Sequence, residues 1–195
     1  AQKIGSDYFI IVPPLQPDPS GGPFQGSEAE SYKNCVRILT KLSEMAEKYN
    51  IKLCFELVGF ERSSVRSLEL AERIVRDVDR DNVGYVLESY NIYLNGGTNS
   101  HFEKIKLLRP EKIFAVHINN ADDVPAEEMG QDKRRFCDSG AVDLKAFLLA
   151  LKGAGYDGMV SIETFRPEYW RKSCDWVIDE AYKTTKDCLK GAGVL

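Results

Sequence analysis

Residues 51–89 read IKLCFELVGFERSSVRSLELAERIVRDVDRDNVGYVLES, and the fold follows from how this stretch divides. Ile51 to Val58 is a mostly apolar run that lacks the strict alternation of a sheet with one wet face. Ser67 to Val78 places Leu68, Ala71, Ile74 and Val75 at helical spacing, so one stripe of a helix is apolar. Val83 to Leu87 is apolar again. A buried strand, an amphipathic helix and a second buried strand make a crossover unit, which joins parallel neighbours in a right-handed sense.

The same unit repeats on both sides. Upstream, Tyr8 to Val12 is a short apolar strand ended by Pro13-Pro14, and a Pro/Gly-rich loop runs from Pro13 to Gly26. Ser27 with Glu30 forms a capping box for a helix reaching Tyr49, whose inner stripe is Val36, Leu39, Leu42, Met45 and Ala46. Downstream, a helix from Ser100 to Leu108 closes at Arg109-Pro110, since proline disfavours helix in the residue before it. Ile113 to Ile118 is the fourth strand, and residues 119–142 form a long polar loop without clear periodicity. Asp143 caps a helix from Leu144 to Ala154, Gly158 to Ile162 is the fifth strand, and Ser173 to Leu189 is the last helix. Five strands alternating with five helices predict an α/β fold with a parallel sheet, in a single domain over residues 1–195.

Composition narrows the function. The chain has 195 residues, 43% hydrophobic and 29% charged, with a net charge of −4. An acidic chain with no dense basic run argues against a nucleic-acid partner. No apolar stretch approaches the roughly 18–20 residues that span a bilayer, which argues against a membrane partner. The first residues, Ala1-Gln2-Lys3-Ile4-Gly5, do not read as a signal peptide. Five cysteines without a C-x-x-C pair do not read as a disulfide framework, so the expected compartment is a reducing cytoplasm. Cys54 reads as packing, and Cys137 reads as an exposed loop thiol.

In parallel α/β folds, reactive groups gather where the strands exit toward the βα loops. Four consecutive strands each carry one ionisable group there: Glu56, Glu88, His117 and Glu163. A lone Glu at such a point is as often a helix-cap partner, and a lone His between Val116 and Ile118 is more often a core histidine. Taken together, three carboxylates and an imidazole would be costly to bury without a counter-charge. A divalent cation resolves that conflict, and this oxygen-rich set without thiolate suits Mn²⁺, Mg²⁺, Co²⁺ or Zn²⁺. Phe165, Tyr169 and Trp170 could wall a sugar ring or simply pack the barrel rim, and Arg166 reads as an ion-pair partner of Glu168 in preference to a substrate ligand. Gly21-Gly22 and Gly96-Gly97 read as turns, and no phosphate-binding loop is visible.

Several segments together carry a resemblance: Ile51–Gly59 (IKLCFELVG), Asp81–Ser89 (DNVGYVLES), Lys112–Ile118 (KIFAVHI), Gly140–Leu144 (GAVDL) and Val160–Trp170 (VSIETFRPEYW). The sequence resembles the xylose isomerase-like family of metal-dependent sugar isomerases and epimerases, nearest to its inosose isomerases. The resemblance implies the C-terminal part of a (β/α)₈ TIM barrel, here five βα units with the N-terminal units missing. It implies one divalent ion on Glu56, Glu88, His117 and Glu163, with Glu56 and Glu163 also acting as the acid/base pair. It implies isomerase or epimerase action on a keto-polyol or ketose through an enediolate, with Arg134 binding a substrate oxygen.

The chain departs from the family pattern in three places. Glu88 stands where the family has Asp, and Asn91, which can hydrogen-bond a substrate hydroxyl, stands where it has His. The turn Cys137-Asp138-Ser139-Gly140 keeps only the last glycine of the expected Pro-Gly-x-Gly. Five units leave the strands at Tyr8 and Gly158 as open edges, so either the chain is part of a longer protein or a second copy or a partner chain covers them. These departures leave other readings open. One is a catalytically degenerate barrel serving as a partner subunit, and another is a dehydratase or lyase of the same family. An endonuclease IV-type zinc nuclease needs many more histidines than the two present.

Overall fold

The computed structural model describes residues 1–16 and 22–195. The Pro13–Gly26 loop lies partly outside the described residues, and so does Gly21 of the expected Gly21-Gly22 turn.

Five strands form one parallel sheet: β1 (Tyr8–Ile11), β2 (Lys52–Glu56), β3 (Val83–Glu88), β4 (Ile113–Ile118) and β7 (Val160–Ile162), hydrogen-bonded in that order. Neighbours in sequence are neighbours in the sheet, as repeated right-handed crossovers require. The sheet is a curled half-barrel, so the α/β parallel expectation holds. Between β4 and β7 the chain adds a small antiparallel ribbon of β5 (Asn120–Ala121) and β6 (Arg134–Arg135). The segment expected to be a featureless polar loop is thus an arm folded back on itself. It escaped periodicity because two-residue strands have none to display.

The helices follow local rules. α1 (Glu28–Glu47) is capped by Ser27, which accepts from the Glu30 amide at 3.2 Å. α2 (Leu68–Val78) is capped by Ser67, which accepts from the Leu70 amide at 3.2 Å. Its buried stripe is Leu68, Leu70, Ala71, Ile74, Val75 and Val78. Burying each large aliphatic side chain there contributes about 1.5–3 kcal/mol. The segment expected to be a helix from Ser100 is a 3₁₀ helix over Asn99–Leu107, capped by Thr98. Two short helices follow strand exits directly and lacked the length to be read from periodicity: α3 (Ser89–Leu94) and α5 (Pro167–Trp170). α4 (Leu144–Gly153) is capped by Asp143, as expected, and α6 (Cys174–Gly191) by Ser173.

Strand alternation divides the core in two. Leu53, Phe55, Val83, Tyr85, Leu87, Val116 and Ile118 face the helices and form the main apolar cluster. Cys54, Val86 and Ala115 face the other way and make a small layer on the concave side. β1 is not a buried strand. Tyr8, Phe9 and Ile10 are 42%, 54% and 41% exposed, because β1 is a sheet edge with a neighbour on one side only. α6 likewise contains no buried residue.

Candidate metal centre

The concave apolar layer fixes where the ionisable groups stand. Side chains alternate along a strand, so Glu56 follows Cys54, Glu88 follows Val86, and His117 follows Ala115 on the same face. In register, Glu56 lies opposite Val86, Glu88 opposite His117, and His117 opposite Ser161, two residues before Glu163. The four groups therefore leave one face of one sheet within a narrow band.

Glu56, His117 and Glu163 converge: each offers a ligand atom, and these atoms lie within 4.8 Å of one another. His117 Nδ1 stands 3.9 Å from Glu56 Oε1 and 3.7 Å from Glu163 Oε2. It is buried and has no hydrogen-bond partner among the described residues. Burial works to lower the imidazole pKa. The negative charge of Glu56, with those of Glu163 and Glu88, outweighs burial and raises it. An orphaned buried nitrogen between two carboxylates, each just beyond hydrogen-bond range, is the arrangement a cation completes. Ligand atoms about 2 Å from a shared ion stand up to about 4 Å apart, so these separations close with small side-chain adjustments.

Glu88 stands outside that group. Its Oε1 accepts from the Tyr90 amide at 2.9 Å and its Oε2 from the Asn91 amide at 2.7 Å, which makes it the cap of α3. Oε2 also pairs with Arg134 Nη1 at 3.2 Å. Burial pushes the Glu88 carboxyl up to about 7, against the pull of Arg134, with the Glu56 charge adding to the rise.

Arg134 is buried, and its Nη1 is shared among Asn119 Oδ1 (2.9 Å), the Glu163 carbonyl (3.3 Å), Glu163 Oε2 (3.4 Å) and Glu88 Oε2. One guanidinium thus ties the exits of β3 and β7 together. Asn119, which reading the sequence missed, holds that guanidinium, and its own backbone exchanges hydrogen bonds with the Ser89 hydroxyl. Its only sequence signal is its position directly after β4. Asn91 is buried beside Glu56, with Nδ2 donating to Glu56 Oε1 at 3.1 Å. Trp170 is 71% exposed and is not brought to this group by any aromatic contact among the described residues.

The approach to the site is braced. Arg166 pairs with Glu168 at 3.2 Å, as expected, and with Asp122 at 2.9 Å; Asp122 also pairs with Arg135. Tyr169 stacks on Phe136 with centroids 4.1 Å apart and planes 9° apart. The loop after β7 is thereby tied to the β5–β6 arm. Gly140 underlies the arm at φ +155°, and a Cβ there would stand 2.0 Å from the Ala121 carbonyl oxygen. Cys137 is buried rather than exposed, and burial pushes its thiol up to about 12. The five cysteines are free, and no described helix is long and apolar enough to cross a membrane.

A family model described as the xylose isomerase-like TIM barrel matches residues 1–180. The inosose isomerase of Bacillus subtilis (strain 168) is 40% identical over 188 residues, covering 96% of this chain and 64% of its own length. The inosose isomerase of Halalkalibacterium halodurans is 37% identical over 187 residues, covering 96% of this chain and 62% of its own. A crystal structure of the IolI protein with a bound zinc atom superposes with a TM-score of 0.89 at 35% identity, over 98% of this chain and 66% of that one. The chain thus spans somewhat less than two thirds of the length of these relatives.

Proposed function

The chain belongs to the xylose isomerase-like TIM-barrel family, and from that premise we propose that it is the site-bearing part of a divalent-metal-dependent isomerase acting on a keto-polyol of the inosose kind. The observation that carries this reading is the buried, unpartnered His117 Nδ1 facing Glu56 and Glu163. Inosose isomerase is the name of relatives about 40% identical to this chain, which supports the substrate class. An acidic protein also suits a neutral polyol better than a phosphorylated sugar.

Glu56, His117 and Glu163 would hold the cation, with Glu88 behind them as the anchor of Arg134. When bound, the ion supplies Lewis-acid polarisation of the substrate carbonyl and its neighbouring hydroxyl, Mn²⁺, Zn²⁺, Co²⁺ and Mg²⁺ all being suited to these donors. Glu56 and Glu163 stand at the second and fifth strands of the sheet, so their carboxylates reach a substrate from different sides. One removes the carbon-bound proton to give an enediolate, and one returns a proton to the neighbouring carbon. Arg134 Nη1 is spent on protein acceptors and holds Glu163 in place. Its Nη2 makes no hydrogen bond among the described residues and is the nitrogen left for a substrate oxygen.

The test is metal content and proton exchange on the same samples. The protein, stripped and reloaded with Mn²⁺ or Zn²⁺, is expected to hold one ion per chain and to exchange the proton beside the inosose carbonyl for deuterium in D₂O. His117→Ala is expected to lose the ion, and Glu163→Gln to lose exchange by about 100-fold or more. A protein that binds neither metal, or that exchanges equally well without one, overturns the reading.

A further inference from the structure

Asn91 lies in the first turn of α3 and is 3% exposed. Both ends of its side-chain amide are engaged. Oδ1 accepts from the Gly59 backbone N–H at 3.3 Å, and Nδ2 donates to Glu56 Oε1 at 3.1 Å. The orientation is forced, because a backbone N–H can only donate. The amide oxygen must face Gly59, which leaves the nitrogen for the carboxylate.

The approach of Gly59 is itself built for this contact. A Cβ at position 59 would stand 2.2 Å from the Asn91 carbonyl oxygen and 2.6 Å from Leu94 Cβ. Only glycine lets the loop after β2 lie against α3. The Asn91 backbone is pinned from the other side, where its amide donates to Glu88 Oε2 at 2.7 Å. Glu88, capping the helix, therefore sets the backbone of Asn91. Gly59 sets its amide plane, and the amide sets Glu56.

We propose that Asn91 is a positioning residue. It orients the Glu56 carboxylate toward His117 and Glu163 before any cation or substrate arrives, and it does not itself bind a substrate hydroxyl through the nitrogen that holds Glu56. This rests on the reading of Glu56 as a cation ligand given above. A carboxylate held in advance has fewer rotamers to lose when an ion binds. Partners of this kind, behind the ligands of a metal site, typically contribute 10–100-fold to metal affinity.

The test is a double-mutant cycle on Mn²⁺ affinity, read by water-proton relaxation, which follows weak as well as tight binding. Asn91→Ala is expected to weaken Mn²⁺ binding about 10–100-fold in the native background and to change nothing further when Glu56→Gln is already present. Asn91→Ser is neutral and its side chain is too short to span Gly59 and Glu56 together. It is expected to behave the same way, and it decides the matter should Asn91→Ala fail to fold. Thermal melting checks that the variants remain native. If the folded variants bind Mn²⁺ within about threefold of the native protein, or lose the same factor with and without Glu56, the positioning role is overturned. A native protein that binds no Mn²⁺ or Zn²⁺ overturns the proposed function, and this inference with it.

Discussion

At the scale of single residues, Arg134 and Glu88 carry more of the site than their distance in sequence suggests. Their charges meet at 3.2 Å with both side chains almost wholly buried. Removing one partner of such a pair strands the other, at a cost of about 3–5 kcal/mol. Arg134→Met is therefore expected to lower unfolding free energy by about that amount in urea titrations, and Arg134→Met with Glu88→Gln, which is neutral and keeps an acceptor for the α3 cap, to recover part of it. A double variant as unstable as the single one would show that Arg134 matters through Asn119 and Glu163 instead. Neither role was legible in the sequence. Glu88 shares its strand-exit position with Glu56 and His117. What pairs with it is an arginine 46 positions away on an arm whose fold periodicity did not display. Asn91 was legible as polar and near the site. Its partner could not be read, because the contact depends on how closely Gly59 approaches α3.

At the scale of elements, the strands were the most legible part. β2, β3 and β4 are continuous apolar runs ending in a charged or imidazole residue, and their register puts those ends on one face. The long helices announced themselves by their apolar stripes, and two of them by a cap at Ser27 or Asp143. Ser67 was read only as a helix start, yet its hydroxyl holds the first turn of the helix that covers β2 and β3. Ser67→Ala is expected to cost about 1 kcal/mol, and Ser67→Gly only a few tenths, in equilibrium unfolding. Equal losses would point to packing of the Ser67 side chain rather than capping. Four short elements escaped notice: β5, β6, α3 and α5 are too short for any period to declare itself.

At the scale of the whole molecule, the sheet ends on both sides without a further strand among the described residues, and apolar side chains stand exposed at β1 and along α6. Unpaired strand edges template pairing with other chains. A polypeptide limited to residues 1–195 is expected to self-associate as its concentration rises, and Ile10→Lys to shift it toward monomer, as measured by light scattering behind size-exclusion chromatography. A native chain that stays monomeric throughout would mean that the edge is blocked by its own geometry. The pairing of strand residues across the sheet has a further result. Glu56 and Glu163 are levelled against each other by steps taken sideways, from hydrogen bond to hydrogen bond, and not by residues counted along the backbone. Lengthening the connections between strands leaves that measurement untouched, whereas deleting one residue inside β3 would swing Glu88 to the far side of the sheet and break the ruler at its middle mark.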